Sequence, residues 1–237
     1  MTDNSWHSAT EIQGIFDRIA PVYDQLNQRL SLGQHRIWKQ MTVKWCEPQP
    51  GDVGLDVCCG SGDLAQLLAR KVGKTGRVVG LDFSPEQLAI ADLRAQNNYP
   101  SLALKWVEGD ALTLPFEDNT FDCATMGYGL RNVVDIPRCL QELHRVLKPT
   151  AKVAILDFHR PTQPWMRTLQ QWYLDNFVVP TAKGFGLTDE YAYIMPSLER
   201  FPLGTEQVKL AYEAGFSHAV HYLIAGGMMG VLVGTKD

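Results

Sequence analysis

A surplus of positive charge, metal-ligand spacing and long apolar runs are all missing from this chain, and each absence removes a class of function. Lysine and arginine number 22 against 26 aspartate and glutamate, and they are dispersed, so there is no positive footprint for a phosphate backbone. Nucleic acid is therefore not an expected partner. The five cysteines include the adjacent pair Cys58-Cys59 but form neither a CxxC nor a Cys/His cluster. No metal site is expected, and an odd cysteine count suits reduced thiols in a cytosolic compartment. The first residues are polar and acidic, without the basic segment and apolar run of a secretory signal, so export is not expected. Apolar stretches such as Met228 to Val233 fall far short of the roughly 20 residues that span a bilayer, which leaves only peripheral membrane contact.

What the chain does carry is alternation between two apolar periods. Its 45% hydrophobic content and its length suit one domain across 1-237. Ile12, Ile15, Phe16 and Ile19, then Trp38, Met41 and Trp45, fall at helical spacing, so a helical lid is expected over 1-50, ended by Pro48, Pro50 and Gly51. Short apolar runs predict strands at Val53 to Cys58, Arg77 to Leu81, Ala103 to Val107, Phe121 to Met126 and Val153 to Asp157. Helical spacing separates them at Leu64 to Val72, Ser84 to Gln96, and from Ile136 through Leu140, Leu143 and Leu147 to a stop before Pro149. Ser84-Pro85-Glu86-Gln87 reads as a capping box with Ser84 as N-cap and Gln87 reaching back. Such β/α alternation predicts a doubly wound, Rossmann-like, mostly parallel sheet. After a helix ending near Gly215, Ser217 to Ile224 and Met228 to Gly234 flank Gly226-Gly227, a hairpin that should close the sheet with an antiparallel strand. From Pro161 to Pro202 the chain is aromatic and irregular, so 161-205 is expected to be an insertion covering the site.

The strongest local signal is Asp56-Val57-Cys58-Cys59-Gly60-Ser61-Gly62, where a glycine turn between strand and helix lets a nucleotide-like ligand approach the backbone. Gly60 to Ala65 also satisfies the GxGxxA form of the dinucleotide fingerprint, and Asp82 stands twenty residues past Gly62, where a ribose-binding acid belongs. A nicotinamide or flavin oxidoreductase is the starting rival. Two acids shift the balance. Asp56 is unhelpful beside a pyrophosphate but useful beside the amino group of a methionine moiety. Gly109-Asp110-Ala111 follows the third strand, where a carboxylate accepts from an adenine amino group and a backbone N–H reaches a ring nitrogen. The acids of the first three strand ends would then meet successive parts of S-adenosyl-L-methionine, with Gly60, Ser61, Gly62 and Phe83 completing the candidate cofactor contacts.

Further motifs extend over almost the whole chain. Phe16-Asp17-Arg18-Ile19-Ala20 to Tyr23-Asp24, Leu26-Asn27, Leu30-Ser31 and Gly33-Gln34-His35-Arg36 stand near the beginning. Gly109 to Pro115, Asn119-Thr120-Phe121-Asp122 and Gly129-Leu130-Arg131-Asn132-Val133 are central, and Ser197 to Pro202 with Ala214-Gly215-Phe216 lies towards the end. In these the chain resembles the UbiE/MenG quinone C-methyltransferases. The resemblance implies a class I S-adenosylmethionine-dependent methyltransferase with a seven-stranded sheet, methylating a ring carbon of a prenylated quinol. It also implies that Ser61, Asp82, Asp110 and Ala111 bind the cofactor. Many relatives have serine where this chain has Gly127, so that contact does not carry over. Cys58-Cys59 replaces small residues of other bacterial members, and the chain is more similar to the cyanobacterial and plastid branch that methylates demethylphylloquinol. The implied location is cytoplasmic, at the membrane holding the quinol; peripheral contact and a homodimer are both open.

Methyl transfer requires an in-line approach of a nucleophilic carbon about 3 to 3.5 Å from the methyl, in a site closed to water. The quinol ring becomes nucleophilic as its hydroxyl, with a pKa near 10, ionises. Arg131 is the first candidate to stabilise that phenolate, with pairing to Asp135 as the alternative; Tyr23 could meet the acceptor hydroxyl or only pack. His159 could serve as base or quinol contact, whereas His144 reads as structural and Cys58 and Cys59 as packing residues. Trp165, Leu169, Trp172 and Tyr173 form an apolar helical face that could bind the prenyl tail, meet a membrane or pack on the sheet. A reductase, a methyltransferase with another small acceptor and a scaffold without turnover are the competing functions.

Overall fold

The computed structural model describes residues 33–184 and 194–237, together with Gly14, Asp17, Arg18 and Ser31. Its centre is a seven-stranded sheet in the order β3-β2-β1-β4-β5-β7-β6. The strands are β1 (Val53–Val57), β2 (Arg77–Asp82), β3 (Leu104–Glu108), β4 (Phe121–Gly127), β5 (Leu147–Phe158), β6 (His218–Ile224) and β7 (Met229–Thr235). β1 to β5 pair in parallel, and β7 runs antiparallel to both β5 and β6. The hairpin expected from Gly226-Gly227 is present and ends the sheet, its second strand, the antiparallel one, lying between β5 and β6.

Helices cover both faces: α1 (Gln34–Trp45), α2 (Asp63–Val72), α3 (Pro85–Asn98), α4 (Ile136–Val146), α5 (Pro164–Tyr173), α6 (Val179–Lys183), α7 (Ile194–Arg200) and α8 (Gly204–Glu213). The period of two along the strands divides the core. In β5, Val153 and Ile155 join one cluster with Leu140, Leu143 and Val146 of α4, while Ala154 and Leu156 join a second with Val43 of α1 and Leu64, Leu68 and Val72 of α2. Each such buried aliphatic side chain contributes about 2 kcal/mol, more than the spread of helix propensities, so burial fixes these elements.

Two expectations change. β5 begins at Leu147, not Val153, because Leu147 already pairs with Phe121 across an irregularity that absorbs Pro149 and places Thr150 at φ 69. Within the segment read as irregular, the helical spacing of Trp165 to Tyr173 is realised as α5, and a π-helical turn at Leu174–Val178 and α6 follow it; residues 185–193 lie outside the described residues. Among the described residues no helix is long and apolar enough to cross a membrane.

Candidate functional site

Strand order reverses between β1 and β4, so the loops leaving their carboxyl ends diverge and open a crevice, the usual ligand position in such sheets. The turn after β1 is wound into left-handed backbone: Cys58 has φ 53, Gly60 φ 51 and Gly62 φ 83. A Cβ on Gly62, the N-cap of α2, would stand 2.7 Å from the Trp106 ring. Asp82, at the end of β2, fixes this turn by accepting from the Gly60 N–H at 2.8 Å and from the Ser84 N–H at 3.0 Å. That second bond corrects the capping box. Ser84 Oγ does accept from the Gln87 N–H at 3.2 Å, but the Ser84 N–H is held by Asp82, and the Gln87 side chain lines the crevice.

The crevice has a volume of about 300 Å³ and is walled by Asp56, Gly60, Ser61, Asp82, Phe83, Asp110 and Ala111, seven of the eight cofactor candidates. Asp56 is fully buried; its Oδ1 accepts from Thr125 Oγ1 at 2.8 Å, while Oδ2 has no hydrogen-bond partner among the described residues. Burial pushes its carboxyl up to about 7. Asp82 is raised to about 6 by burial, against the pull of the Ser84, Gly60 and Phe83 backbone amides. Asp110 is exposed, with Oδ1 taken by the Leu112 N–H at 2.9 Å, and Ala111 beside it is buried. A buried carboxylate oxygen left open beside a cavity is costly unless a ligand satisfies it. The acids in adjacent strand ends, the close-approach turn and the apolar walls together fit a cationic amino-acid nucleoside, which is what S-adenosylmethionine is.

Gly62 is the exception: it does not line the crevice but caps α2 and admits Trp106. Ser61 lines it, with Oγ and the carbonyl oxygen accepting from Arg94 at 2.8 and 2.9 Å. Neither of the two described catalytic candidates is part of the crevice wall. Arg131 pairs with Asp157 at 3.3 Å, not with Asp135, and donates to Ser197 Oγ; Asp135 instead caps α4. His159 is buried between two backbone partners, Nδ1 lying 2.9 Å from the Gly227 carbonyl and Nε2 accepting from the Gly204 N–H at 3.4 Å. Burial also lowers its pKa, so the imidazole is held neutral as a link between β5, α8 and the hairpin. Tyr23 lies outside the described residues.

Burial pushes the Cys58 and Cys59 thiols well up, away from thiolate chemistry. His144 packs edge-on against Phe216 at 5.2 Å. Sequence reasoning missed Lys39, Tyr128, Asn132 and Val134 in the crevice wall. Asn132 could have been found, since it sits inside the Gly129 to Val133 motif; its Nδ2 donates to the Tyr128 carbonyl at 2.8 Å, and its buried Oδ1 has no partner among the described residues.

A family model described as the ubiE/COQ5 methyltransferase family matches residues 4–236. Over 226 residues the chain is 65% identical to a Nostoc sp. protein named 2-phytyl-1,4-naphtoquinone methyltransferase, covering 95% of this chain and 99% of that one. It is 54% identical to the chloroplastic 2-phytyl-1,4-beta-naphthoquinone methyltransferase of Arabidopsis thaliana, covering 94% and 86%. A solved SAM dependent methyltransferase from Aquifex aeolicus superposes with a TM-score of 0.63 at 20% identity over 84% of this chain and 89% of that one, a likeness of fold alone. With a match that runs through nearly the whole length, the chain belongs to the ubiE/COQ5 methyltransferase family.

Proposed function

We propose that the protein transfers a methyl group from S-adenosylmethionine to the unsubstituted quinoid-ring carbon of a 2-phytyl-1,4-naphthoquinol, the last carbon added to a phylloquinol. The observation that carries the reading is the high identity, through nearly the full length, to relatives named for that acceptor. When bound, the cofactor supplies an electrophilic methyl on a sulfonium. Asp56 meets its ammonium group, Asp82 its ribose hydroxyls, and Asp110 with the Ala111 backbone its adenine edge; Phe83 supplies apolar wall. Tyr128, Asn132, Val133 and Val134 line the same crevice and are placed here on the acceptor side.

Catalysis in this reading is alignment with exclusion of water, plus help in ionising the quinol. Arg131 acts as a positioning residue: its buried pair with Asp157 holds the Leu130–Asn132 turn, which carries Asn132 to the crevice. Tyr23 keeps its proposed contact with the acceptor hydroxyl, and His159 is a structural link. Trp165, Leu169 and Trp172 of α5 are 64%, 43% and 52% exposed, which supports peripheral contact with the membrane that dissolves the phytyl tail; a second copy of the chain is the rival occupant of that face. The test is transfer of labelled methyl to 2-phytyl-1,4-naphthoquinone in lipid vesicles, with and without a chemical reductant, beside demethylmenaquinone and benzoquinone acceptors. Product only from the reduced phytyl acceptor supports the reading. Transfer to the oxidised quinone, or to none of the quinols, overturns it.

A further inference from the structure

The mechanism above leaves unused a buried cation in the crevice wall. Lys39, on α1, is 6% exposed and stands in the same wall as Asp56. Its Nζ donates to Asp63 Oδ2 at 2.6 Å, and the other oxygen of Asp63 accepts from Arg94 Nη2 at 2.5 Å. Burial pushes the Asp63 carboxyl up, but these two cations outweigh it and hold it well below the ordinary carboxylate range. Arg94 in turn grips the glycine turn through the Ser61 oxygens.

Two cations share the Asp63 carboxylate here; Arg94 and Asp63 are partly exposed, so Lys39 is the buried charge, and Asp56 is a further carboxyl close enough to feel it. An ammonium has three donors, and the Lys39 Nζ bond to Asp63 accounts for one. The same nitrogen lies 5.9 Å from the Tyr128 ring, another wall of the crevice. The crevice wall thus presents an open carboxylate oxygen on Asp56 and, within electrostatic reach of it, the Lys39 ammonium with donors to spare. That arrangement is the charge complement of an α-amino acid, with ammonium and carboxylate on one carbon.

We propose that Lys39 binds the α-carboxylate of the methionyl part of the cofactor, completing with Asp56 a zwitterion clamp that ties α1 to the occupied glycine turn. The proposal rests on the S-adenosylmethionine reading. It explains why Asp63, the first residue of α2, is shared between Lys39 and Arg94: Asp63 aims the lysine while leaving charge for a ligand.

Titration calorimetry on the full chain tests it with two ligands, S-adenosylhomocysteine and 5′-methylthioadenosine, which lacks the amino-acid group. In Lys39→Met, with Asp63 still paired to Arg94, affinity for S-adenosylhomocysteine should fall about tenfold to hundredfold, as for loss of a charge-assisted bond. Affinity for 5′-methylthioadenosine should stay within about twofold, and Lys39→Arg should recover most of the loss. Should Lys39→Met not fold, Lys39→Gln enters the same comparison. Equal losses for both ligands, or no loss for either, overturn the proposal. If the unaltered protein binds neither ligand, the cofactor reading falls and the clamp with it, an outcome distinct from failure of the lysine alone.

Discussion

Asp56 is fully buried, lines the crevice, and leaves one carboxylate oxygen without a hydrogen-bond partner among the described residues. In the empty protein burial raises its carboxyl to about 7, whereas an arriving ammonium favours the ionised form. Binding therefore expels a proton wherever the site is protonated beforehand, and affinity should weaken as pH falls below about 7, approaching tenfold per unit. Asp82, raised to about 6, adds to the slope only below that value. Calorimetry with S-adenosylhomocysteine between pH 6 and 8 should show the slope in the unaltered protein and a flatter profile in Asp56→Asn, with affinity at pH 8 reduced at least tenfold. A flat profile for the unaltered protein would place the ammonium elsewhere. Local sequence announced Asp56, because its place before the glycines is visible in one dimension. It announced neither Lys39, whose meaning arises when α1 lies beside Asp63, nor the partner of Arg131, which is Asp157 on β5 and not the nearby Asp135.

Elements show the same division between what is local and what is not. Gly62 fits the sequence pattern of a cofactor contact, but its geometry makes it the turn between strand and helix: φ 83, with the Trp106 ring 2.7 Å from where a Cβ would stand. Gly62→Ala should cost about 2 kcal/mol, from left-handed strain and from overpacking against the indole. Urea unfolding would measure it, and Trp106→Leu in the same chain should return part of the loss; an unchanged midpoint for Gly62→Ala would refute the account. The parallel strands and α2, α3 and α4 were legible because periods of two and 3.6 are written in neighbouring residues. The position of β7 was not, since a hairpin fixes antiparallel pairing but not which partner its outer edge finds. The segment beginning at Pro161 showed helical spacing from Trp165 to Tyr173 but not which face is buried. α5 turns Met166 and Gln170 inward and leaves Trp165, Leu169 and Trp172 outward, so its large side chains do not mark its buried face.

For the molecule as a whole, the two raised carboxylates mean that the cofactor site is held at the expense of stability. A carboxyl whose folded pKa lies above its unfolded value makes the folded state bind extra protons between the two. The empty protein should thus lose stability as pH rises from about 4, the unfolded value, to about 6 for Asp82 and about 7 for Asp56. Other titrating groups superimpose on this trend, so the clean observable is the difference between the unaltered chain and Asp56→Asn across that window. Cofactor reverses the sign for Asp56, because the ionised form then has its counter-charge. A ligand at 100 times its Kd stabilises by about 2.7 kcal/mol, which for a chain of this size raises Tm by about 5 to 10 °C. Thermal unfolding with S-adenosylhomocysteine at a fixed concentration should show a larger rise at pH 8 than at pH 6, and Asp56→Asn should abolish most of that difference. An equal rise at both pH values would mean that the ligand leaves the buried carboxylates unchanged, and the acids at the strand ends would then be part of the scaffold alone.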